Sequence, residues 1–505
     1  MITLSMIVKN EEEHLKDCLL SVKDVVDEIV LVDTGSTDNT IEIAKKFGAK
    51  VYNFNWIDDF SAARNFALDH SSGDWILYLD ADERLSDSSK NELKNLTRRK
   101  NECAYFCKVK SINDFNRRSS VMDYVRLFPN EKNIRFEGKI HEQIENALRN
   151  ENYSIKKSNI EILHLGYNLS DENLKEKAKR NLQLLSKEFE NNPSSYYAFQ
   201  LGQSYGILND KINAEKYFRI SLNDTTLKNE YKSLAYRYLS VNSVEKGEWD
   251  SALSYIEKSL SADEAQPIAL MVAAKIYLHF GKGGDAKYYC KKAYLINEDY
   301  LSGNRSSHQT ILLDEQIIID ESINIAAKLS DKELFKFFYE KIEPDVDKVE
   351  ETENHVRAII FNKLFEDTEI TKSEIEKFEK YLMSESDVNT IVDLLENYSY
   401  VEAKLLILDS IYKIFPQNTL VLNKFALALE EDNNFTKAEE LLEKSLALNS
   451  EDPAVIFYLI SIYLKSEQFN KIPNLIRIAE ENFMNEPVVL QRIEILKDKL
   501  RQFIK

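Results

Sequence analysis

The stretch from residue 75 to residue 83 reads WILYLDADE, an apolar run that ends in Asp80, Asp82 and Glu83. A short run that is apolar throughout predicts a buried strand of a parallel sheet. Residues two apart lie on the same side of an extended chain, so Asp80 and Asp82 together can grip one Mg²⁺ or Mn²⁺ ion. The alternative interpretation is a solvated acidic turn or helix N-terminus.

Outward from this strand, residues 1–164 alternate short β-branched runs with helical segments. This alternation predicts an α/β domain whose mostly parallel sheet is covered by helices on both faces. The expected strands are 2–8, 28–32, 50–54 and 75–79. The expected helices are 15–22, 40–47 and 61–70.

The turn after the second strand reads DTGSTDNT from Asp33 onward. Gly35 permits a tight turn, and Ser36 or Thr37 is expected to cap the following helix. A ligand at the carboxyl ends of the strands would meet Asp33.

The segment from Ser61 to Asn65 is expected to carry polar side chains toward the same strand ends. Ser61 is expected to cap a helix that presents Arg64 and Asn65 one turn later. The alternative for Arg64 is a surface ion pair with Asp58.

A carboxylate beside an imidazole occurs at His141 and Glu142, and a second histidine follows at His164. This pairing offers a general base and a further metal ligand. The alternative for either histidine is a hydrogen-bonded structural role.

Beyond about residue 191 the pattern becomes helical only and shows an internal repeat. Small or apolar residues recur at a fixed interval, at 252 and 286 and again at 438 and 472. This interval matches the tetratricopeptide period of about 34 residues. The first repeat has its characteristic residues at Leu201, Gly202, Tyr205, Ala214 and Phe218. A generic helical bundle is the alternative, and between 301 and 397 the pattern is weaker though still helical.

The bulk properties exclude several classes of protein. A net charge of −19 argues against a nucleic-acid partner. Four cysteines without paired spacing fit a reducing compartment. We expect a cytoplasmic protein, because no signal peptide precedes the first strand and no uncharged apolar stretch approaches the roughly 20 residues of a membrane span.

Six ordered motifs within about residues 1–170 resemble those of family 2 glycosyltransferases of the GT-A fold. The similarity is greatest to the bacterial branch with lipooligosaccharide β-glucosyltransferases and sublancin-type peptide S-glycosyltransferases, which also carry helical repeats. The motifs are NEEE near residue 10, DTGSTDNT, DDFSAARNFAL, GDWILYLDADE, RFEGKIHEQ and HLGYN.

The resemblance implies a GT-A nucleotide-sugar domain followed by an all-α tetratricopeptide-like superhelix. It also implies roles for named residues. Glu142 is the expected base of an inverting reaction, Asp80 faces the ribose or sugar, and Asp82 binds the metal and diphosphate with His164 or His141 as a further ligand. The nucleotide-sugar pocket is implied to contain Ile7, Lys9, Glu11, Asp33, Asp59, Arg64 and Asp80.

Our main hypothesis is transfer of one sugar from a UDP-sugar, of glucose or N-acetylglucosamine type, to a Ser, Thr or Cys side chain of a protein or peptide held by the helical arm. One alternative is a lipooligosaccharide or cell-wall glycosyltransferase that uses the arm for dimerisation or docking, and another is an inactive repeat scaffold. The exposed end of a repeat stack is a candidate homodimer contact. The expected segments are the catalytic domain 1–170, a helical connector 171–191, repeats 192–300, a divergent helical region 301–400 and repeats 401–505.

Overall fold

The computed structural model describes residues 1–98, 103–113, 118–165, 171–305, 310–342, 353–380, 385–484 and 486–503. The chain divides into two compact units, Met1–Ile318 and Ile319–Lys505. The last residues of the HLGYN motif, from 166 to 168, lie outside the described residues.

In the described part of the first unit, nine strands form one sheet in the order β3-β2-β1-β4-β7-β6-β8-β5, with β9 also paired to β7. The strands are β1 (Ile2–Val8), β2 (Glu28–Asp33), β3 (Lys50–Asn53), β4 (Trp75–Tyr78), β5 (Glu83–Leu85), β6 (Cys103–Asn113), β7 (Arg118–Pro129), β8 (Ser154–His164) and β9 (Thr310–Leu313).

The half of the sheet predicted from the sequence is parallel. Strand β1 pairs in parallel with β2 and with β4, and β2 pairs in parallel with β3. Beyond β4 the sheet is mixed, because β7 runs antiparallel to both β4 and β6. The expected α/β class followed by helices is confirmed.

Helices cover the sheet on both faces, as the alternation of buried side chains requires. Leu77 belongs to a core that includes Leu19 of the first helix, whereas its neighbour Ile76 packs with Leu68 and Leu148 on the other face. The helices of this region are α1 (Leu15–Val22), α2 (Thr40–Lys46), α3 (Phe60–Asp69), α4 (Ser89–Thr97) and α5 (Glu145–Asn150).

A buried carboxylate ties together the amino ends of the strands, away from the predicted site. Glu28 accepts hydrogen bonds from Thr3 Oγ1 at 2.5 Å, Lys50 Nζ at 2.6 Å and the Ser72 backbone N–H at 2.8 Å. Burial alone would raise the pKa of Glu28, but these donors lower it to about 2. Glu28 therefore stabilises the fold in its charged form.

Helices α6–α12 follow the sheet within the first unit, and each packs on the next in sequence. Gly202 allows the closest approach: a Cβ there would lie 2.8 Å from the Phe218 ring. Ala214, Ala252 and Ala286 are fully buried, as the repeat pattern predicts. These helices are α6 (Asp171–Asn191), α7 (Ser195–Ile207), α8 (Lys211–Leu222), α9 (Asn229–Glu245), α10 (Trp249–Ala262), α11 (Pro267–His279) and α12 (Gly283–Leu301).

The chain then returns to the sheet through β9, which pairs antiparallel with the start of β7. The fully buried Asn297 fixes β9, because its side chain exchanges two hydrogen bonds with the Leu313 backbone at 3.0 and 3.1 Å. The helical pattern of this region does not predict a strand. The first repeats and the sheet therefore share one compact unit.

The second unit is helical throughout its described residues. Ala438 and Ile472, which are one repeat period apart, are both buried there. The helices after β9 are α13 (Glu315–Lys328), which crosses the unit boundary, α14 (Lys332–Tyr339), α15 (Glu353–Glu366), α16 (Lys372–Glu379), α17 (Glu385–Leu395), α18 (Val401–Ile414), α19 (Thr419–Glu431), α20 (Phe435–Leu448), α21 (Pro453–Lys465), a 3₁₀ turn (Phe469–Lys471), α22 (Ile472–Asn482) and α23 (Pro487–Phe503).

Among the described helices, none combines the length and apolar character needed to cross a bilayer. The five-segment division of the chain remains a prediction.

Candidate active site

The two carboxylates that follow β4 are held in a tight turn. The Glu83 backbone N–H donates to Asp80 O at 3.0 Å, and the Asp80 backbone N–H donates to Glu83 Oε2 at 2.9 Å. Glu83 then begins β5, which pairs antiparallel with the end of β8 and sets Glu83 opposite His164. This pairing brings together two segments that are far apart in the sequence.

Arg64 links two of the predicted site carboxylates. Its Nη2 donates to Asp80 Oδ1 at 2.8 Å, and its Nε donates to Glu142 Oε1 at 2.6 Å. The guanidinium is buried and lies over the Tyr78 ring at 4.8 Å and the Phe136 ring at 5.7 Å. The proposed surface ion pair of Arg64 with Asp58 is therefore wrong, because α3 directs Arg64 inward.

A second buried cation, Arg126 of β7, extends this network. Its Nη2 donates to Glu83 Oε1 at 2.6 Å and lies 3.7 Å from Asp80 Oδ2. Burial raises the pKa of Glu83 to about 7, and the charge of Asp80 adds to this against the pull of Arg126. Burial would likewise raise the pKa of Asp80, but Arg64 and Arg126 hold it well below its usual range. Asp80 is thus kept charged.

Asp82 lies beside His164, with Oδ2 3.3 Å from Nε2. The other ring nitrogen of His164, Nδ1, is 3.0 Å from Ser111 Oγ on β6. The serine fixes the ring so that Nε2 faces the carboxylate. The structure therefore brings Asp82 and His164 together, as predicted.

Hydrogen bonds connect the loop after β1 to the loop after β2. Asn10 has a left-handed backbone, with φ at 56°, and its Oδ1 accepts the Thr37 backbone N–H at 2.8 Å. The Glu11 backbone N–H donates to Thr40 Oγ1 at 2.7 Å. Burial raises the pKa of Glu11 to about 7, with further contributions from the charges of Asp82 and Asp80. Glu11 therefore lies close enough to the carboxylates after β4 for their charges to raise its pKa.

Asp33 is buried at the end of β2 and holds its own turn. Its carboxylate accepts the backbone N–H groups of Gly35 at 3.0 Å and Ser36 at 3.1 Å. Of the other predicted pocket residues, Ile7 packs against a small core around Val30, and Lys9 is exposed.

Two expected helix caps are wrong. Asp59, not Ser61, caps α3 by accepting the Ala62 backbone N–H at 2.9 Å, while the Ser61 hydroxyl donates to Gly138 O at 2.8 Å. Neither Ser36 nor Thr37 caps α2, whose N-cap residue is Asn39 and makes no side-chain cap bond. In both places the side chain instead joins two loops of the site.

Glu142 and His141 lie in the segment 137–143, which we call the Glu142 loop. Backbone hydrogen bonds of 2.9 Å in both directions between Glu137 and Gln143 close this loop. His141 has a left-handed φ of 54°, and burial lowers its pKa. Within the described residues, no group of three or more His, Cys, Asp or Glu side chains is arranged to hold a metal, so His141 does not complete a cluster with Asp82 and His164.

The donor set at Asp82 and His164 nonetheless fits a divalent cation. One carboxylate and one imidazole are ligands that Mn²⁺ accepts, and a site shared with substrate phosphates needs only one or two protein ligands. Burial raises the pKa of Glu11 most and the charges of Asp82 and Asp80 raise it further, so a cation bound at these carboxylates would relieve that repulsion.

Sequence reasoning missed Arg126 and Ser111 as members of this site. Both sit on long strands, and only the pairing of β7 with β4 and of β6 with β8 brings them to the acidic turn.

Residues 3–154 match the family model described as glycosyl transferase family 2. The chain carries a glycosyl transferase family 2 domain. The expected resemblance to this family is therefore confirmed for residues 3–154, and the residues described above lie in or directly after this domain.

Three curated relatives resemble parts of the chain. A TPR repeat-containing protein of Synechococcus elongatus is 41% identical over 150 residues, which cover 29% of this chain and 36% of the relative. The SPβ prophage-derived glycosyltransferase SunS of Bacillus subtilis is 31% identical over 229 residues, covering 44% and 53%. An uncharacterised glycosyltransferase of Rickettsia typhi is 38% identical over 104 residues, covering 21% and 35%. The chain thus spans about half or less of these relatives.

Solved structures are similar over a limited part of the chain. TarS of S. aureus is 14% identical with a TM-score of 0.28, covering 50% of this chain and 54% of TarS. A glucosyl-3-phosphoglycerate synthase of Mycobacterium tuberculosis, crystallised with Mn²⁺, UDP-glucose and phosphoglyceric acid, is 23% identical with a TM-score of 0.19, covering 23% and 44%.

Proposed function

We propose that this protein is an inverting, metal-dependent glycosyltransferase that moves one sugar from a UDP-sugar to a Ser, Thr or Cys side chain of a protein or peptide. The donor is of glucose or N-acetylglucosamine type, and the cation is Mg²⁺ or Mn²⁺. The family 2 domain over residues 3–154 supports the reaction class.

The observation that carries the proposal is the cluster at the carboxyl ends of β1, β2 and β4. There Asp82 pairs with His164 at 3.3 Å, and Asp80 is held charged by the buried Arg64 at 2.8 Å. Ligands of open α/β sheets bind at this edge. A cluster of carboxylates ion-paired to buried arginines at such an edge is costly to fold and is typical of functional sites.

Asp82 and His164 would hold the cation, and the bound cation would neutralise the negative charge of the departing diphosphate. Arg64 keeps both Asp80 and Glu142 oriented through its two hydrogen bonds. Asp80 is then available, as a fixed carboxylate, to accept hydrogen bonds from hydroxyl groups of the sugar or ribose.

Glu142 is our candidate base. Its Oε1 is engaged by Arg64 Nε, so we assign the acceptor proton to Oε2. As Glu142 takes that proton, the acceptor oxygen or sulfur attacks the anomeric carbon, and the bond from that carbon to the diphosphate oxygen breaks to release UDP. Attack on the face opposite the leaving group inverts the anomeric configuration.

The helical part supports a polypeptide acceptor, because stacked helical repeats present extended surfaces that commonly bind peptides. All four cysteines are free thiols, which fits the cytoplasmic location included in this proposal.

A donor and acceptor screen tests the proposal. Purified protein is incubated with Mg²⁺ or Mn²⁺, UDP-glucose or UDP-N-acetylglucosamine, and candidate peptides rich in Ser, Thr or Cys. We expect one peptide to gain the mass of a single hexose or N-acetylhexosamine. A sugar transferred to host glycolipid extracts, with no polypeptide modified, would instead support a cell-wall or lipooligosaccharide role.

The role of the helices from α13 onward is tested by shortening the chain. A chain that ends at Asp314 keeps β9 and removes the helices from α13 onward. If those helices hold the acceptor, peptide glycosylation should fall much more than the hydrolysis of the UDP-sugar by water. Equal losses of both activities would contradict an acceptor role for that region.

A further inference from the structure

The Glu142 loop is held from two sides, and one of them is the helical arm. From the catalytic side, the Ser61 hydroxyl donates to Gly138 O at 2.8 Å and the Phe60 backbone N–H donates to Lys139 O at 2.9 Å. These bonds come from the start of α3. They fix the first part of the loop but leave the segment that contains Glu142 to other contacts.

The second set of contacts comes from α6 and α7, which lie beyond the family 2 domain. Lys139 Nζ lies 2.9 Å from Glu188 on α6. Ile140 is 3% exposed and packs with Leu185 of α6 and Leu201 of α7. Ile140, two residues before Glu142, is therefore buried against the arm.

This support is needed because the loop has an unfavourable backbone. His141, next to Glu142, has a left-handed φ of 54°, and Gly138 has a φ of 94°. A non-glycine residue in this region costs of order 1 kcal/mol and persists only where surrounding contacts hold it. Without such contacts the loop would relax, and Glu142 would move relative to Arg64.

We infer that the first two helices of the arm are part of the catalytic centre, because Glu188 acts as a positioning residue and the packing of Ile140 against Leu185 and Leu201 holds the Glu142 loop. This inference rests on the proposed function, in which Glu142 is the base. It gives the arm a role distinct from acceptor binding: the arm sets the geometry of the base. A displacement of about 1 Å in such a group lowers rates by up to roughly 100-fold.

Charge reversal tests the inference. Glu188→Lys should speed amide hydrogen exchange in the Glu142 loop and lower the rate of UDP release from UDP-glucose about tenfold, while UDP affinity measured by calorimetry stays unchanged. Combining it with Lys139→Glu restores the ion pair in reverse and should restore both readouts.

Glu215→Lys is the matched control. Glu215 has a similarly exposed side chain and pairs with Lys246 at 2.8 Å, within the arm of the same unit. It should leave exchange in the Glu142 loop and the UDP-release rate unchanged. A double variant with Glu142→Gln should show no further loss from Glu188→Lys, because the group being positioned is already gone.

The two proposals fail in different ways. Exchange of the Glu142 loop that stays at the wild-type rate in Glu188→Lys overturns the positioning inference, whatever the kinetics. If Glu142→Gln alone leaves UDP release unchanged, the assignment of the base is wrong, and the exchange measurement still decides whether the arm holds the loop.

Discussion

Replacement of Arg64 by lysine is the sharpest perturbation of the candidate site. Arg64 uses two different nitrogens for two carboxylates: Nη2 donates to Asp80 at 2.8 Å and Nε donates to Glu142 at 2.6 Å. Lysine keeps the positive charge but concentrates its donors at one point, so it cannot reproduce both bonds at once.

The expected effect follows from the loss of one of these bonds. A hydrogen bond to a charged group contributes about 1.5–3 kcal/mol. If that contribution orients the reacting groups, each 1.36 kcal/mol corresponds to a tenfold change in rate, so kcat/KM should fall roughly 10- to 150-fold. The charge is conserved, so we expect the variant to fold.

The assay is UDP release from the UDP-sugar in the presence of Mn²⁺, with circular dichroism to verify folding. Arg135→Lys is the matched control, since Arg135 also forms a 2.8 Å bond to a carboxylate, Asp69 of the same helix α3, but on the surface. A kcat/KM for Arg64→Lys within twofold of the Arg135→Lys value would refute the role assigned to Arg64.

Three predictions concern stability and can be measured by urea unfolding. Arg126→Met should lower the free energy of unfolding of the first unit by about 1–3 kcal/mol, because it removes the buried hydrogen bond to Glu83, whose carboxyl then takes up a proton; a loss below about 1 kcal/mol would contradict the network. Gly202→Ala should lower the free energy of unfolding by about 1–3 kcal/mol, because its Cβ would lie 2.8 Å from the Phe218 ring. Gly284→Ala is the control: its Cβ would meet nothing within 4 Å, so the change should be neutral or stabilising. Glu28→Gln should destabilise at pH 7. The folded-state pKa of Glu28, about 2, lies below its unfolded value, so its contribution is full above about pH 4.5 and is lost as the pH falls toward 2; a difference between variant and wild type that grows with acidification would show that the sign is wrong.

The part of the chain up to the end of β4 could be predicted closely because its signals are local. The apolar run at the start of the chain gives β1 as Ile2–Val8, and the amphipathic stretch after it gives α1 as Leu15–Val22, both with the predicted bounds. Strand β2 extends one residue further than expected, to Asp33, and α3 begins one residue earlier, at Phe60. Helix caps were less predictable, since Asp59 and Ser61 are both good capping residues and only the neighbouring loop decides between them.

The remainder of the site depends on contacts between distant segments. The pairing of β5 with β8 places His164 beside Asp82, and the position of β7 beside β4 brings Arg126 to Asp80. Strand register of this kind is set by the whole sheet, so periodicity along one segment does not reveal it. For the same reason the sequence pattern does not predict strand β9, because its four residues pair with β7, which is far away in the sequence.

The most direct test of the account is a calorimetric titration of UDP into the protein with Mn²⁺ present and again with the metal removed by a chelator, for the wild type and for Asp82→Asn. We expect UDP to bind the wild type with Mn²⁺, and removing the metal or changing Asp82 to weaken the affinity at least tenfold. UDP affinity that is the same with and without the metal, or the same in Asp82→Asn as in the wild type, would contradict the claim that these carboxylates bind the nucleotide through a cation.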